Sequence, residues 1–424
     1  MKQQLRQRCE PICLFGEGPA DRRNRLKDIL SRLGEDALRK PSQDCFKSST
    51  ESSQQLYQQD KKKHEETWYH QGPESLKEAR MFLVNYSIPR SKNQLRSEKI
   101  EKNLPEATRT ARKQEMQSKL RQFSLQGSQN ADSRPISYCS FSPNGKFLAT
   151  SSWSGLCKLW EVPNCKNTLT LKGHNCYADC IEWHPNSTKK MEPSALNLAS
   201  SGRDGSVYLW SLKDENPIGE LPQLEARVSR LSFHPSGRFL GLCVHDNSWR
   251  LWDLQVQEEV LFQEGHVKPV YSMAFHNSGA LCVTVGKDAY GRVWDLRTGQ
   301  CVMFLSGHQN AILSVDWAPL GCQLVTGSED NSVKVWDVRT RRCIYTIPAH
   351  TSIISGVRYD PNAGMFLVTC SFDGSVKLWS NGSYQAMKSL EGHGQKVMSA
   401  DVSPDGSHIA TCSFDRTFKL WGPD

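Results

Sequence analysis

The sequence of 424 residues contains no long hydrophobic run and lacks the common motifs that mark enzymes. No stretch approaches the roughly 18 consecutive apolar residues of a membrane-spanning helix, so a membrane protein is not expected. The chain opens on Met-Lys-Gln-Gln-Leu-Arg, without the apolar core of a secretion signal, which indicates a nuclear or cytosolic protein. A Gly-rich phosphate loop, a G-x-S-x-G elbow and an H-E-x-x-H helix are missing too, so neither a catalytic residue nor a cofactor is predicted.

Seven tryptophans recur along the last two thirds of the chain at a nearly constant interval. The first two lie 50 residues apart, and every later gap is 42 or 43 residues. A period of roughly 40–45 residues with tryptophan at a fixed place is typical of a β-propeller, in which each unit forms a four-stranded blade. The sequence therefore predicts an all-β propeller with seven blades. The tryptophans are Trp160, Trp210, Trp252, Trp294, Trp336, Trp379 and Trp421.

Polar residues recur in step with these tryptophans. An aspartate lies six residues before the tryptophan in six units, and five units have a histidine further upstream. The pattern resembles the WD40 repeat, and the resemblance implies a buried Asp–His–Ser/Thr–Trp hydrogen-bond network in each unit. Unit one has Ser154 in place of the aspartate, and unit three has Leu224 in place of the histidine. The expected network residues are His174, Asp204 and Trp210, His266, Asp288 and Trp294, His308, Asp330 and Trp336, His350, Asp373 and Trp379, and His393, Asp415 and Trp421.

The seventh unit is one strand short, because the chain ends three residues after its tryptophan. An open blade would expose an unpaired sheet edge. The spacing of the other units places a candidate strand at residues 123–129, ahead of unit one. This strand is predicted to complete the seventh blade and to join the two ends of the ring.

Basic residues are concentrated in the first third of the chain. Residues 1–134 hold 27 Lys and Arg against 18 Asp and Glu, whereas residues 135–424 hold 26 against 27. A basic arm beside a neutral ring suggests contact with nucleic acid or an acidic protein, and a solvated helix surface is the alternative. The candidate RNA contacts on this arm are Arg109, Arg112, Lys113 and Lys119.

The N-terminal region is expected to be mostly α-helical and partly disordered. Residues 1–40 contain a compact turn with Phe15 and a short amphipathic helix, which is too small to have a core of its own and is predicted to bind another protein. Residues 41–64 are predicted as a flexible linker. Residues 65–122 are predicted as a basic helical arm, with helices at 73–86 and 105–120, and residues 123–424 as the propeller. The candidate protein contacts are Phe15, Leu26, Ile29, Leu30, Leu33, Trp68 and Tyr69.

Several short segments narrow the resemblance further. Residues 10–23 (EPICLFGEGPADRR), 68–73 (WYHQGP), 85–90 (NYSIPR) and 134–139 (RPISYC) are similar to the pre-mRNA-processing factor 4 family. The resemblance implies a non-enzymatic, nuclear scaffold subunit of the U4/U6 small nuclear ribonucleoprotein (snRNP) and of the U4/U6-U5 tri-snRNP. It also implies partnership with pre-mRNA-processing factor 3 and a cyclophilin, direct or indirect contact with U4/U6 snRNA, and a monomer within a larger complex.

One face of the ring is the candidate binding surface. The residue before each repeat aspartate is expected near the rim of that face. Blades six, seven and one are neighbours in a closed ring, so Trp153, Phe372 and Phe414 are predicted to form an aromatic patch that binds a protein segment. In the alternative, these rings fill the mouth of the channel. A basic arc is predicted across from the patch, formed by Arg203, His245 and Lys287, with Arg203 and Lys287 as candidate RNA contacts.

Two other interpretations of the sequence stay open. Residues 324–339 resemble the WD-x-R box of substrate receptors of cullin ubiquitin ligases, although Asp337 and Arg339 also suit an ordinary turn. His174, Cys176, Cys180 and His184 have side chains that can hold zinc. The favoured interpretation takes His174 as the repeat histidine and places Cys180 and His184 on an ordinary strand.

Overall fold

The computed structural model describes residues 19–33 and 74–423. The chain forms two compact units, Met1–Gln71 and Gly72–Asp424. In the first unit α1 spans Pro19–Leu33, with Leu26 buried and Ile29 half-buried. The side chains of the other candidate protein contacts of this region lie outside the described residues: Phe15, Leu30, Leu33, Trp68 and Tyr69.

Two further helices precede the propeller within the second unit. α2 spans Glu74–Asn103 and α3 spans Glu106–Arg121. The predicted first helix, 73–86, was too short, because α2 continues through Pro89, where the sequence suggests a stop. Contacts with the propeller beyond the proline offset the lost backbone hydrogen bond: Arg90 Nε donates to the carbonyl of Asn277 at 3.1 Å, and Gln94 Nε2 to that of Leu320 at 2.6 Å. None of the described helices is long and apolar enough to cross a membrane.

The propeller contains 28 strands in seven four-stranded antiparallel sheets, as the sequence predicts. Blade 1 holds β2 (Ile136–Phe141), β3 (Phe147–Ser152), β4 (Cys157–Glu161) and β5 (Lys166–Leu171); blade 2 holds β6 (Ala178–Trp183), β7 (Leu198–Gly202), β8 (Val207–Trp210) and β9 (Gly219–Leu221); blade 3 holds β10 (Val228–Phe233), β11 (Phe239–Val244), β12 (Trp249–Asp253) and β13 (Glu258–Gln263). Blade 4 holds β14 (Val270–Phe275), β15 (Leu281–Gly286), β16 (Gly291–Asp295) and β17 (Gln300–Leu305); blade 5 holds β18 (Ile312–Trp317), β19 (Gln323–Ser328), β20 (Ser332–Asp337) and β21 (Arg342–Pro348); blade 6 holds β22 (Ile354–Tyr359), β23 (Phe366–Ser371), β24 (Ser375–Ser380) and β25 (Ala386–Glu391).

Blade 7 closes the ring with strands from both ends of the propeller. It contains β26 (Val397–Val402), β27 (Ile409–Ser413) and β28 (Thr417–Pro423), and its outer strand is β1 (Phe123–Asn130). β1 pairs with β28 from Phe123 opposite Pro423 to Asn130 opposite Thr417. The predicted closing strand at 123–129 is therefore confirmed.

Burial decreases from the channel outward, which explains the residue types of each strand. All six residues of the innermost strand β2 are buried, whereas five consecutive residues of the outermost strand β21 are exposed. The second and third strands contribute the branched and aromatic side chains that pack between neighbouring blades, because each blade covers the face of the next. A single blade has no second layer, so the ring supplies the core.

The arm, formed by α2 and α3, packs on one face of this ring. Ala79 and Leu83 of α2 are 1% exposed and belong to the hydrophobic cluster of blades 3 and 4. Leu120 of α3 is fully buried in the cluster of blades 6 and 7. Residues on both sides of the predicted boundary at residue 122 therefore share the same hydrophobic clusters, and the arm and the propeller pack as one unit.

The arm and the repeat aspartates lie on opposite faces. α2 binds the turns between first and second strands, at Asn277 and Leu320, and the turn between third and fourth strands of blade 5, at Arg339. The repeat aspartates lie in the turns between second and third strands. Since consecutive strands are antiparallel, these two sets of turns lie at opposite ends of the blades. We call the aspartate side the turn face and the other side the arm face.

Candidate functional site

The turn face is built from seven equivalent turns. In blade 5, Asp330 Oδ1 accepts the backbone N–H of Ser332 at 2.9 Å, which tightens the turn. The residue after each aspartate, or after Ser154 in blade 1, has a φ between 64° and 85°. The residue before each aspartate, or before Ser154, donates its backbone N–H to a carbonyl in the loop that precedes the first strand of its blade, at 2.9–3.0 Å. The latter residues therefore occupy equivalent places at the rim: Trp153, Arg203, His245, Lys287, Glu329, Phe372 and Phe414.

Beneath the turns, blades 4–7 contain the complete four-residue network. In blade 5, His308 Nδ1 lies 2.8 Å from Asp330 Oδ2, and His308 Nε2 lies 2.7 Å from Thr326 Oγ1. Trp336 Nε1 donates to the same hydroxyl at 3.0 Å. Corresponding distances in blades 4, 6 and 7 are 2.8–2.9 Å. In blade 2, Ser206 stands between His174 and Asp204, with contacts of 3.2 and 2.6 Å.

The hydrogen bonds of the network hold its aspartate in the ionised form. Burial by itself raises the pKa of Asp330, but the hydrogen bonds from His308 and Ser332 outweigh it and hold the pKa well below its usual range. Asp330 is therefore ionised at neutral pH and keeps His308 in place. The histidine and the hydroxyl are both buried and hydrogen-bonded within the blade, so this arrangement stabilises the fold.

Blades 1 and 3 depart from the network in different ways. In blade 1, Asp132 occupies the histidine position, 28 residues before Trp160, and accepts a hydrogen bond from Ser154 at the aspartate position. The same spacing that located the other histidines identifies Asp132, which the sequence interpretation missed. In blade 3, Leu224 and Leu242 replace the histidine and the hydroxyl, and Trp252 Nε1 is buried without a partner among the described residues.

Replacing Thr326 by Val should test how much one complete network contributes to the free energy of unfolding. The change keeps the side-chain shape but removes the hydroxyl that serves His308 and Trp336. We expect the free energy of unfolding, measured with urea, to fall by about 2–4 kcal/mol, because two buried polar groups each lose a partner. Thr326→Ser keeps the hydroxyl and should retain most of the stability. Equal losses in the two variants would show that packing, and not hydrogen bonding, is the main contribution.

Three aromatic rings cluster at the rim between blades 7, 1 and 2. The Trp153 ring centre lies 5.4 Å from that of Phe414, edge to face, and 5.4 Å from that of Tyr177, stacked. Phe414 and Tyr177 are 36% and 40% exposed. The Arg203 guanidinium lies 5.5 Å from the centre of the Tyr177 ring. These rings border a groove of about 720 Å³, and Tyr177 is a member that the sequence interpretation missed.

Phe372 lies at the mouth of the central channel instead of in this stack. It lines a cavity of about 180 Å³ together with Trp153, and the Lys396 ammonium lies 5.0 Å from its ring centre. Trp153 borders both the cavity and the 720 Å³ groove. The structure therefore brings the three predicted aromatics to adjoining sites that share Trp153. We call Trp153, Tyr177, Phe372 and Phe414 the aromatic patch.

The predicted basic arc has two exposed cations and one half-buried histidine. Arg203 and Lys287 are exposed. Burial lowers the pKa of His245, and the neighbouring cations Arg227, Arg203 and Lys287 lower it further. His245 is therefore neutral at physiological pH, and the arc takes its charge from Arg203 and Lys287. Arg227 is paired with the buried Asp179 at 2.6 Å.

The four basic candidates on the arm separate into two groups. Arg109, Arg112 and Lys113 line one cavity of about 220 Å³ between the arm and blades 5 and 6. Lys119 forms an ion pair with Glu115 on its own helix at 2.9 Å and is not part of the lining.

A charged cluster inside the channel was not anticipated from the sequence. Arg358 of β22 lies 3.9 Å from Asp316 of β18 and 3.7 Å from Asp401 of β26, and it donates a hydrogen bond to the Tyr138 hydroxyl of β2. Burial raises the pKa of Glu182, at the same level of the channel, to about 7. These side chains occupy polar positions in otherwise apolar inner strands. The cluster ties blades 5, 6, 7 and 1 together across the closure of the ring.

The two alternative sites of the sequence are occupied by contacts within the chain. Arg339 of the WD-x-R box donates a hydrogen bond to Glu98 of α2, which anchors the arm. His174 Nε2 lies 2.7 Å from Ser200 Oγ, and His184 Nε2 lies 3.1 Å from the carbonyl of Gly237. Within residues 19–33 and 74–423, no three His, Cys, Asp or Glu side chains are arranged to hold a metal ion.

Known proteins resemble this chain in both of its parts. Residues 2–29 match the family model described as pre-mRNA processing factor 4 (PRP4) like. Seven consecutive segments match the model of the WD domain, G-beta repeat: 121–161, 165–211, 216–253, 257–295, 299–337, 341–380 and 384–422.

Curated relatives match about half of the chain. Proteins from Bos taurus and Homo sapiens, both named U4/U6 small nuclear ribonucleoprotein Prp4, are 51% identical over 242 residues, which is 57% of this chain and 45% of each relative. U4/U6 small nuclear ribonucleoprotein PRP4 of Saccharomyces cerevisiae is 35% identical over 196 residues, 44% of this chain and 40% of that protein. The match thus spans less than half the length of these relatives.

Proposed function

We propose that this chain is a non-enzymatic scaffold subunit of the U4/U6 snRNP and of the U4/U6-U5 tri-snRNP. The proposal starts from its membership of the pre-mRNA processing factor 4 family of WD-repeat proteins. The observation that carries the proposal is the combination, in one chain, of the N-terminal PRP4-like segment with the seven repeats. WD repeats alone occur in proteins of many functions, so the PRP4-like match is what narrows the assignment.

The proposed scaffold works in the nucleus as one copy within a larger particle. Its proposed partners are pre-mRNA-processing factor 3, a cyclophilin and U4/U6 snRNA, the last bound directly or through proteins. We assign the N-terminal protein contacts to α1, through Leu26, Ile29, Leu30 and Leu33, and to Phe15, Trp68 and Tyr69. This division leaves the turn face of the ring available to further partners.

The arrangement of the two faces supports separate binding sites in the N-terminal region and on the turn face. The arm covers the arm face at blades 3–7, while the turn face keeps its grooves and exposed rings. Exposed aromatic rings beside cations are typical anchors for a protein segment, because they bury large areas with few rotatable bonds. We therefore assign protein binding to the aromatic patch and an acidic or RNA partner to Arg203 and Lys287.

The proposed function predicts which RNAs accompany the chain. Tagged full-length protein recovered from nuclear extract should carry U4 and U6 RNA together with pre-mRNA-processing factor 3. A cullin and its adaptor should not be enriched, because Arg339 of the WD-x-R box is engaged by Glu98. Recovery of the ligase without U4 and U6 RNA would reject the proposal in favour of a substrate receptor.

The aromatic patch should contribute strongly to protein binding. Changing Trp153, Phe372 and Phe414 together to Ser should reduce recovery of snRNP proteins at least tenfold, since each buried anchor contributes roughly 2 kcal/mol. The control is Phe262→Ser with Phe304→Ser, because these rings of the outer strands are 48% and 45% exposed. Thermal melting checks both variants for folding. A folded triple variant that still recovers its partners at normal strength would rule out the patch.

A further inference from the structure

We propose that a cavity at the junction of α2 and α3 binds one nucleotide of single-stranded RNA, with its phosphate on α3 and its base against blades 5 and 6. The cavity, here called the elbow cavity, has a volume of about 220 Å³ and lies on the arm face. It is therefore separate from the aromatic patch. The inference rests on the proposed snRNP function and assigns its RNA contact to a defined site.

The first supporting observation is the convergence of positive charge. Arg109, Arg112 and Lys113 are spaced i, i+3 and i+4, so they share one face of α3. All three are exposed and line the elbow cavity, and none forms an ion pair with a carboxylate among the described residues. Glu101 contributes one negative charge to the lining. Three cations against one carboxylate leave an excess positive charge that suits a phosphodiester.

The second observation is the chemistry of the opposite wall. Leu320 of blade 5 and Met365 of blade 6 supply apolar surface, and Gln323 and Asn381 supply amide groups. A nucleobase has apolar ring faces and polar edges, so such a wall can cover its faces and bind its edge.

The size of the cavity suits a ligand of one base. Its 220 Å³ is several times the roughly 30 Å³ that one water molecule occupies. It is smaller than the roughly 300 Å³ at which pockets for larger ligands begin. One base fits these limits, and the neighbouring nucleotides would pass along the exposed face of α3. Gly382, with a φ of 93°, adds no side chain at the edge beside Lys113.

The orientation of Asn381 predicts a base preference. Its Nδ2 donates to the carbonyl of Gly364 at 2.6 Å, which fixes the amide and directs the acceptor Oδ1 elsewhere. Within the described part of the chain, no donor engages this oxygen. An acceptor at the base edge favours a base with an exocyclic amino group. Cytosine should therefore bind better than uracil, which has a carbonyl at the same position.

The test measures binding of fluorescein-labelled single-stranded oligo(C) and oligo(U) octamers to the full chain by fluorescence anisotropy over a range of salt. We expect Arg112→Ala with Lys113→Ala to weaken oligo(C) binding at least tenfold. The slope of log affinity against log salt should become shallower by about 0.7, because the variant loses one phosphate contact and each such contact contributes about 0.7 for single strands. Oligo(C) should bind the parent chain more tightly than oligo(U).

Lys119→Ala is the matched control, because Lys119 lies on the same helix but outside the cavity and is paired with Glu115. It should change the affinity less than twofold. Equal losses in the control and the double variant would mean that α3 attracts RNA only by its overall charge, and would overturn the proposal. Tighter binding of a phosphorylated acidic peptide than of oligo(C), abolished by the double variant, would also overturn it in favour of a protein ligand.

The binding experiment and the recovery of RNA from extract distinguish failure of the elbow cavity from failure of the proposed function. If oligo(C) binding depends on Arg112 and Lys113 but the chain recovers no U4 or U6 RNA from extract, the elbow cavity is supported and the snRNP assignment fails. If U4 and U6 RNA are recovered but oligo(C) binding ignores these residues, the elbow cavity is rejected and the snRNP assignment stands.

Discussion

A propeller that begins at Arg134 should be far less stable than the intact chain. This truncation removes β1, so β28 becomes an unpaired edge and loses the cover of Phe123, which is 2% exposed. Loss of one such buried phenylalanine typically costs about 3–5 kcal/mol, and the exposed edge also promotes association. We expect a fall in the free energy of unfolding at or above that range, measured by urea denaturation with light scattering to detect aggregates.

Two longer versions separate the closing strand from the arm. A chain that begins at Glu74 keeps α2, α3 and β1, and its propeller should melt like that of the intact protein. A chain that begins at Gln122 keeps only β1 and should lose the contribution of the arm, including the buried Leu83 and Leu120. If the chains beginning at Gln122 and Arg134 melt together, β1 does not stabilise the ring.

Replacing Arg358 by Met should be the most damaging single change in the channel. Asp316 and Asp401 would each lose the cation that lies within 4 Å. Breaking a buried ion pair by removing one partner costs about 3–5 kcal/mol, and the lower end applies here because the Arg358 side chain is 24% exposed. Arg203→Met, at an exposed position, is the control and should change stability by about 0.5 kcal/mol or less.

The loss from Arg358→Met should also depend on pH. Burial raises the pKa of Asp316 and of Asp401, and the Arg358 guanidinium opposes this rise. Without Arg358 both pKa values rise further, so the folded state binds protons that the unfolded state releases. Stability then falls as the pH rises. The variant should therefore lose more stability at pH 8 than at pH 5, and a loss independent of pH would assign the effect to packing.

The repeat positions show which features of the structure can be predicted from the sequence. A fixed spacing located the networks of blades 4–7 and the closing strand β1, because each depends on a local four-stranded unit that recurs with constant length. The same spacing locates Asp132 in blade 1, provided that the residue type is allowed to change. The end of α2 was misjudged, because Pro89 is tolerated through contacts with blades 4 and 5 that lie far away in the sequence.

The sequence by itself determined the number of blades, the residues that recur in them and the strand that closes the ring. Only the tertiary structure decided which face the arm covers, that Tyr177 joins Trp153 and Phe414, and that Arg358 meets two aspartates across the channel. It also separated Lys119 from the three cations of the elbow cavity. The physical reason is that a repeat period records contacts within one blade, whereas these groupings arise between elements that meet only when the ring closes and the arm packs on it.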